Sequence, residues 1–233
     1  MINATVDSSA LAIYLIPSLL ATYEPAKFEY RLYIGVNEGD SFYEDEATVR
    51  QLESIVPGVN VEVSPYRVKE KHRIPFNEIL RKATADGADF LVRVNDDTEF
   101  VTPGWTSMGV AALRKLDPPN IGVVGPRVKS GGSGGPKINS QILTHDMVHK
   151  VHMDIFDDKY YPSVFHNQFL DDWITFAYGH RTVFVDEWIV IHHTQFLGTR
   201  YNADANIGKQ VQPEVRKAEK QIRDFLKTCG WSS

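Results

Sequence analysis

Val94-Asn95-Asp96-Asp97-Thr98-Glu99-Phe100 sets two adjacent carboxylates directly after the apolar run Phe90-Leu91-Val92-Arg93-Val94. Adjacent like charges are costly unless water or a cation neutralises them. Hard divalent ions such as Mg2+ or Mn2+ take carboxylate oxygens together with ligand phosphates. A solvated Asp-Asp turn is the plain alternative, but the place at the end of an apolar strand favours a ligand site. A second pair, Asp171-Asp172, precedes Trp173 and opens a helix. One of the two can cap the helix by accepting backbone N–H bonds. The other, partly desolvated beside the indole, suits a general base. The third signal is Ile191-His192-His193-Thr194 at the end of a short strand. Alternation puts the two histidines on opposite faces, so at most one faces a given site, where it could ligate a divalent ion.

Weaker candidates surround these three. Gln195 to Gln210 is polar, carries Arg200 between Gly198 and Gly208, and has the composition of a mobile loop that closes on a phosphate. Asn37-Glu38-Gly39-Asp40 follows a strand and would suit a nucleobase edge or ribose, although turns commonly look this way. His145, Asp146, His149 and His152 invite a metal reading, with His149 and His152 sharing a helix face. No cysteine accompanies them and Asp146 reads as a cap, so a structural role ranks first.

The elements that must position these residues alternate between strand and helix. Leu11 to Thr22 reads as a buried helix and Arg31 to Val36 as a strand. Asp45 to Ile55 is an amphipathic helix, Val59 to Val63 a strand, and Pro75 to Ala85 a helix stopped by Gly87. Phe90 to Val94 is a strand, Trp105 to Leu116 a helix, Ile121 to Val124 a strand and Met147 to Phe156 a helix. Asp172 to Tyr178 is a helix, Thr182 to Val185 and Trp188 to Ile191 short strands, and Glu214 to Lys227 a charged terminal helix. Ser130 to Pro136 is a Gly/Ser patch that reads as a surface loop or an engineered linker. Strands separated by helices point to an α/β fold with a largely parallel sheet, whose ligands bind beyond the carboxyl ends of the strands.

Composition narrows the function classes. With 233 residues the chain is one large domain or two small ones, and one domain is the expectation. Its 25 basic against 30 acidic residues, a net charge of −5, argue against a nucleic-acid binder. A single cysteine, Cys229, excludes an internal disulfide framework and a multi-cysteine zinc site. No apolar run approaches the roughly 18 residues of a membrane span. The best stretch, Leu11 to Leu20, is broken by Pro17 and lacks a preceding basic region, so it does not read as a signal peptide. Cytoplasmic placement is the expectation, with lumenal placement the alternative for a trimmed N-terminus; Asn3-Ala4-Thr5 is a chance-level glycosylation sequon.

The order of the motifs resembles that of GT-A-fold glycosyltransferases. In that family a strand-loop near the N-terminus contacts the nucleoside, and an Asp-x-Asp-type motif binds the metal and diphosphate of a nucleotide sugar. An acidic residue beside the acceptor site follows, and a late histidine sometimes completes the metal site. The matching positions are Asn37 to Asp40, Asn95-Asp96-Asp97, Asp171-Asp172, and His192 or His193, over roughly Leu11 to Tyr201. The resemblance implies one GT-A (Rossmann-like) domain over residues 1–233, with a mixed, mainly parallel sheet flanked by helices. Residues 1–95 would form the nucleotide-binding half and 96–233 the acceptor-binding half with the C-terminal helix.

It further implies a metal-dependent transferase, of the hexosyl or N-acetylhexosaminyl type, that moves a sugar from a nucleotide-sugar donor, with UDP favoured. The acceptor would be a hydroxyl of a glycan, a protein or a small molecule. Asp97 and His193 would hold Mn2+ or Mg2+, and Asp96 the ribose. Asn37, Asp40, Arg73, Asn77 and Arg200 would serve the nucleotide and its phosphates. Asp172, or Asp171, would be the base of an inverting displacement, because the Asp-Asp-Trp helix start resembles the segment holding the base in inverting N-acetylglucosaminyltransferases. Trp105, Trp173 and Trp188 are candidates for stacking on sugar faces, although at least one should be core. Two departures stand out. Only Met1 to Thr5 is available for the family's opening strand, and the motif reads Asn-Asp-Asp, an amide replacing the first carboxylate. Two alternatives stay open: a non-catalytic nucleotide-sugar binder of this fold, and a sugar-phosphate nucleotidylyltransferase. The latter should open on a Gly-rich basic loop, which this N-terminus lacks.

Overall fold

The computed structural model describes residues 9–35, 45–54, 59–64, 74–130, 137–139, 141–194 and 205–231. The first helix starts as a wide turn, Leu11–Leu15, in which the Ile16 N–H reaches back to the Leu11 carbonyl, and continues as α1 (Ile16–Thr22). Pro17 explains the widening: it has no N–H to give to Ile13, and its ring crowds that carbonyl. β1 (Tyr30–Gly35) and β2 (Val59–Ser64) pair in parallel, Tyr30 opposite Val59, with α2 (Glu46–Ser54) between them in sequence. Asp45 starts α2 by accepting bonds from the Thr48 N–H (2.8 Å) and hydroxyl (3.1 Å). α3 (Phe76–Ala85) lies so close to β1 that a Cβ on Gly35 would stand 2.2 Å from the Ile79 side chain. Gly87, at φ +93°, follows its end as expected.

The remaining strands form one mixed sheet. β3 (Phe90–Arg93) and β4 (Thr98–Phe100) flank the acidic motif, and α4 (Trp105–Arg114) follows. Then come β5 (Val123–Ser130), β6 (Lys137–Asn139), β7 (Asp146–His149), α5 (Val151–Ile155), α6 (Leu170–Ala177) and β8 (Thr182–His192). A short helix, α7 (Ala205–Gly208), and the long α8 (Val211–Thr228) close the chain. The strand order is β3-β7-β5-β8-β4, with β6 on β5. Among the described residues the parallel pairs are β1/β2 and β5/β8; the other pairings run antiparallel.

Period-two alternation divides the side chains between two cores. Val123, Val148 and Leu91 point to one, with Leu80, Trp173, Ile174, Ile222 and Leu226 from the helices. Val124, Met147 and Val128 point to the other, with Leu11, Leu15, Leu113, Trp105 and Trp188. Helices therefore cover both faces of the sheet, as an α/β fold requires.

The sheet is mixed, as expected, but not mainly parallel, since antiparallel pairings outnumber parallel ones among the described residues, and two further expectations are corrected. Met147 to Phe156 is not one helix but β7 followed by the short α5. Met147, Val151 and Ile155 fall at helical spacing, yet Met147 and Val148 are buried in opposite cores, which only a strand permits. Asp146 is accordingly no cap but a fully buried strand residue. The two short strands over 182–191 are one strand, β8, with a register break: Val185 pairs with Pro126 and Ile189 with Arg127. That break leaves Asp186 and Glu187 exposed while Trp188 is buried. Residues 131–136 of the Gly/Ser patch lie outside the described residues. Among those described, no helix is long and apolar enough to cross a membrane.

Candidate active site

β3 runs antiparallel to β7, β7 antiparallel to β5, and β5 parallel to β8, so β3, β5 and β8 all end at the same sheet edge. The Asn95-Asp96-Asp97 turn leaves β3 at that edge and His192 closes β8 there, opposite Thr98 of β4. This register brings the acidic turn and one histidine together. The His192 Nε2 lies 3.0 Å from Asp97 Oδ1 and 3.1 Å from Asn95 Nδ2. Asp97 is buried and Asp96 half-buried. Behind His192 stands His145, its ring edge-on at 5.2 Å and its Nε2 2.6 Å from the Thr98 hydroxyl. Burial above all, then the charges of Arg93 and His192, holds His145 well below the usual histidine range.

His193 faces the other way, as strand alternation requires. Its ring stacks on Tyr14 at 3.8 Å and its Nε2 meets Glu99 Oε2 at 2.7 Å, while its backbone N–H donates to the Asp97 carbonyl (2.9 Å). The histidine beside Asp97 is thus His192, not His193. Alternation alone leaves both open and the resemblance points to His193; the β4/β8 register puts His192 beside Asp97 instead.

The second carboxylate pair sits in the first turn of α6, and neither aspartate is its N-cap. Phe169, at φ +65°, takes that place without a side-chain bond. Asp171 instead pairs with Arg93, the last residue of β3. Burial, reinforced by the neighbouring Asp171 charge, raises the Asp172 carboxyl above its ordinary value. A carboxylate so perturbed in the first turn of a helix has the chemistry of a base.

Arg93 is the residue that sequence reading missed, since it appeared only as a polar interruption of a strand. It is 5% exposed. Its Nε donates to Asp146 Oδ2 and to the Tyr161 hydroxyl, both at 3.0 Å, and its guanidinium lies 5.6 Å from the Phe76 ring centre. Tyr161 and Tyr160 also donate to the two oxygens of Asp146, at 2.8 Å and 2.5 Å. A charged residue inside an apolar strand, needing a buried counter-charge somewhere, was the available signal.

The other sequence candidates are distributed elsewhere. Asn77, expected at the nucleotide, spends its amide on the backbone of Tyr161, donating at 2.9 Å and accepting at 2.8 Å. Trp105, Trp173 and Trp188 are 4%, 2% and 1% exposed, so all three are core and none offers a face to a sugar. His149 packs edge-on against Phe90, and His152 is buried between the Tyr178 hydroxyl and the Tyr160 carbonyl, each at 2.9 Å. His149 and His152 are thus held by packing and hydrogen bonds away from the acidic turn, whereas His145 of the same cluster backs His192. The end of the Gln195–Gln210 stretch is ordered as α7, where a Cβ on Gly208 would stand 2.9 Å from the Phe169 ring. Asn37, Asp40, Arg73 and Arg200 lie outside the described residues.

His152 gives a pH test of this packing. Burial lowers its imidazole to about 4, against about 6.5 unfolded. As pH falls below about 6.5 the unfolded chain takes up a proton that the native chain refuses, so stability is lost down to the folded value. Wild type should therefore lose stability relative to His152→Gln, approaching 1.4 kcal/mol per pH unit, between pH 6.5 and 5. Urea midpoints that run parallel for the two proteins would show that this histidine titrates as in water.

Asp97 and His192 are the described pair best suited to a divalent ion, an oxygen and an imidazole nitrogen converging at the ligand edge. Among the described residues no group of three or more His, Cys, Asp or Glu could hold a metal by itself. The donor set fits an ion of the Mn2+ kind that takes its other ligands from a bound diphosphate and water.

No family model matches the chain, and no curated protein matches it. Among solved structures it is similar to that of GalNAc-T7 with UDP, GalNAc and Mn2+, at 11% identity and a TM-score of 0.53, over 79% of this chain and 41% of that one. It is also matched to a glycosyltransferase involved in the glycosylation of the major capsid of PBCV-1, at 13% identity over 78% of this chain and 98% of that one, with a TM-score of 0.38. The first likeness shows the fold. The chain has a GT-A-like α/β architecture, a mixed sheet flanked by helices, and spans about two fifths of that structure's length.

Proposed function

We propose that this protein is a metal-dependent glycosyltransferase that moves a sugar from a nucleotide-sugar donor, a UDP-sugar foremost, to an acceptor hydroxyl. The observation that supports it most is the convergence of Asn95-Asp96-Asp97 and His192 at the carboxyl edge of a GT-A-like sheet. The UDP and Mn2+ of the similar structure agree with that reading. Asp97 and His192 would hold the ion, which supplies Lewis-acid stabilisation of the departing diphosphate. Asp96, in the same turn, would orient the ribose. Asp172 would take the proton of the acceptor hydroxyl as its oxygen attacks the anomeric carbon from the face opposite the nucleotide. The product then has inverted configuration. A hexose or N-acetylhexosamine is the transferred sugar in this reading.

A thermal-shift screen of UDP-, GDP- and other nucleotide sugars, with and without Mn2+, tests the reading. Stabilisation by one donor class that needs the ion is the expected result. Asp97→Asn and His192→Ala should each remove the ion-dependent part of the shift, whereas His193→Ala should retain it. Equal loss in all three variants would contradict the assignment of His192. Stabilisation by nucleoside triphosphates alone would favour a nucleotidylyltransferase.

A further inference from the structure

Arg93 occupies an unusual place. It ends β3, three residues before Asp96, and pairs with Asp171 in the first turn of α6, 78 residues further on. Its own position is fixed from three sides. Asp146 of the neighbouring β7 accepts from its Nε at 3.0 Å, and the rings of Phe76 and Tyr161 lie 5.6 Å and 5.9 Å from the guanidinium. Asp146 is in turn held by the hydroxyls of Tyr160 and Tyr161. Asp146 is wholly buried, while the Asp171 side chain is 30% exposed. One guanidinium thus joins a buried anchor to a helix start that reaches the ligand edge.

We infer that Arg93 is the positioning residue of this site: it clamps Asp171, and so holds Asp172 in register with the metal-and-nucleotide turn at the end of the same strand. The inference rests on the glycosyl-transfer reading above. It gives the two aspartates separate jobs. Asp171 is committed to the guanidinium, and Asp172, next along the helix turn, is left to the acceptor. The planar fork of arginine suits this bridge because separate N–H groups serve Asp146 and Asp171 at once. A lysine offers one point charge and cannot span the two carboxylates in the same geometry. A displacement of about 1 Å at a reacting group can cost about 10²-fold in rate.

Two variants test the clamp. Arg93→Lys keeps a buried cation for Asp146. Asp171→Ala opens the clamp while leaving the Arg93–Asp146 pair whole, so it remains informative should the lysine variant fail to fold. Each should lower kcat by about 10²-fold, with the KM for donor and the affinity for UDP with Mn2+ unchanged. The same substitutions introduced into Asp172→Asn should cost nothing further, because they act through the residue already removed. A full further loss in that background, or undiminished kcat in the single variants, would overturn the positioning role while leaving the glycosyl-transfer reading in place. A wild-type protein that turns over no nucleotide sugar would overturn that reading and this inference with it.

Discussion

Asp172→Asn should yield a folded, donor-binding protein whose transfer rate is about 10²–10⁴ lower than that of wild type, the usual cost of losing a general base. The substitution keeps the size of the side chain, and neither aspartate caps α6, so the loss should fall on kcat and not on stability. The pH dependence carries the same assignment. Burial and the Asp171 charge raise the Asp172 carboxyl, and a base works only when deprotonated. Activity should therefore rise with pH along an acid limb that lies above the ordinary carboxylate range, and that limb should vanish from the residual activity of Asp172→Asn. An acid limb at the ordinary carboxylate value, or a variant with near-wild-type kcat, would move the base elsewhere.

The largest effect on stability belongs to Arg93→Met. Removing the guanidinium leaves Asp146 fully buried with no cation, and Tyr160 and Tyr161 supply only neutral hydrogen bonds to it. Breaking a buried pair from one side typically costs about 3–5 kcal/mol, a large part of the 5–15 kcal/mol that holds most domains folded. Urea unfolding should show that loss in the midpoint. Arg93→Met combined with Asp146→Asn should recover part of it, because the uncompensated charge is then gone. A double variant no more stable than the single one would mean that the loss comes from packing around Phe76 and Tyr161 instead.

What could be read from the sequence was what neighbouring residues decide. The apolar run Phe90 to Val94 breaks off into two aspartates, and that local contrast marks both the strand and the ligand edge it feeds. Gly87 ends α3 and the alternation of His192 and His193 puts them on opposite faces, each a consequence of backbone geometry over a few residues. The choice between the two histidines needed the pairing of Thr98 with His192 across 94 positions of chain, and nothing local encodes that register. Arg93, Asp146 and Asp171 are separated by 53 and 78 residues from Arg93, so their network becomes visible only when β3, β7 and α6 meet. The misread helix over Met147 to Phe156 shows the reverse hazard: apolar residues four apart satisfy a helix pattern while tertiary burial on two faces demands a strand. Trp173 illustrates the same limit. An indole beside a candidate base looks like a sugar platform in sequence, and the fold spends it on the core.

The most direct test of the central claim is to follow, by NMR, the anomeric signals of a nucleotide sugar that the protein binds, in the presence of Mn2+ and a hydroxyl acceptor. The expected result is ion-dependent consumption of the donor, a product of inverted anomeric configuration, and loss of both in Asp172→Asn. A donor that is bound but never consumed would make the protein a binder that has kept the fold without the chemistry. A product that retains the donor's configuration would contradict single displacement by an acceptor activated at Asp172.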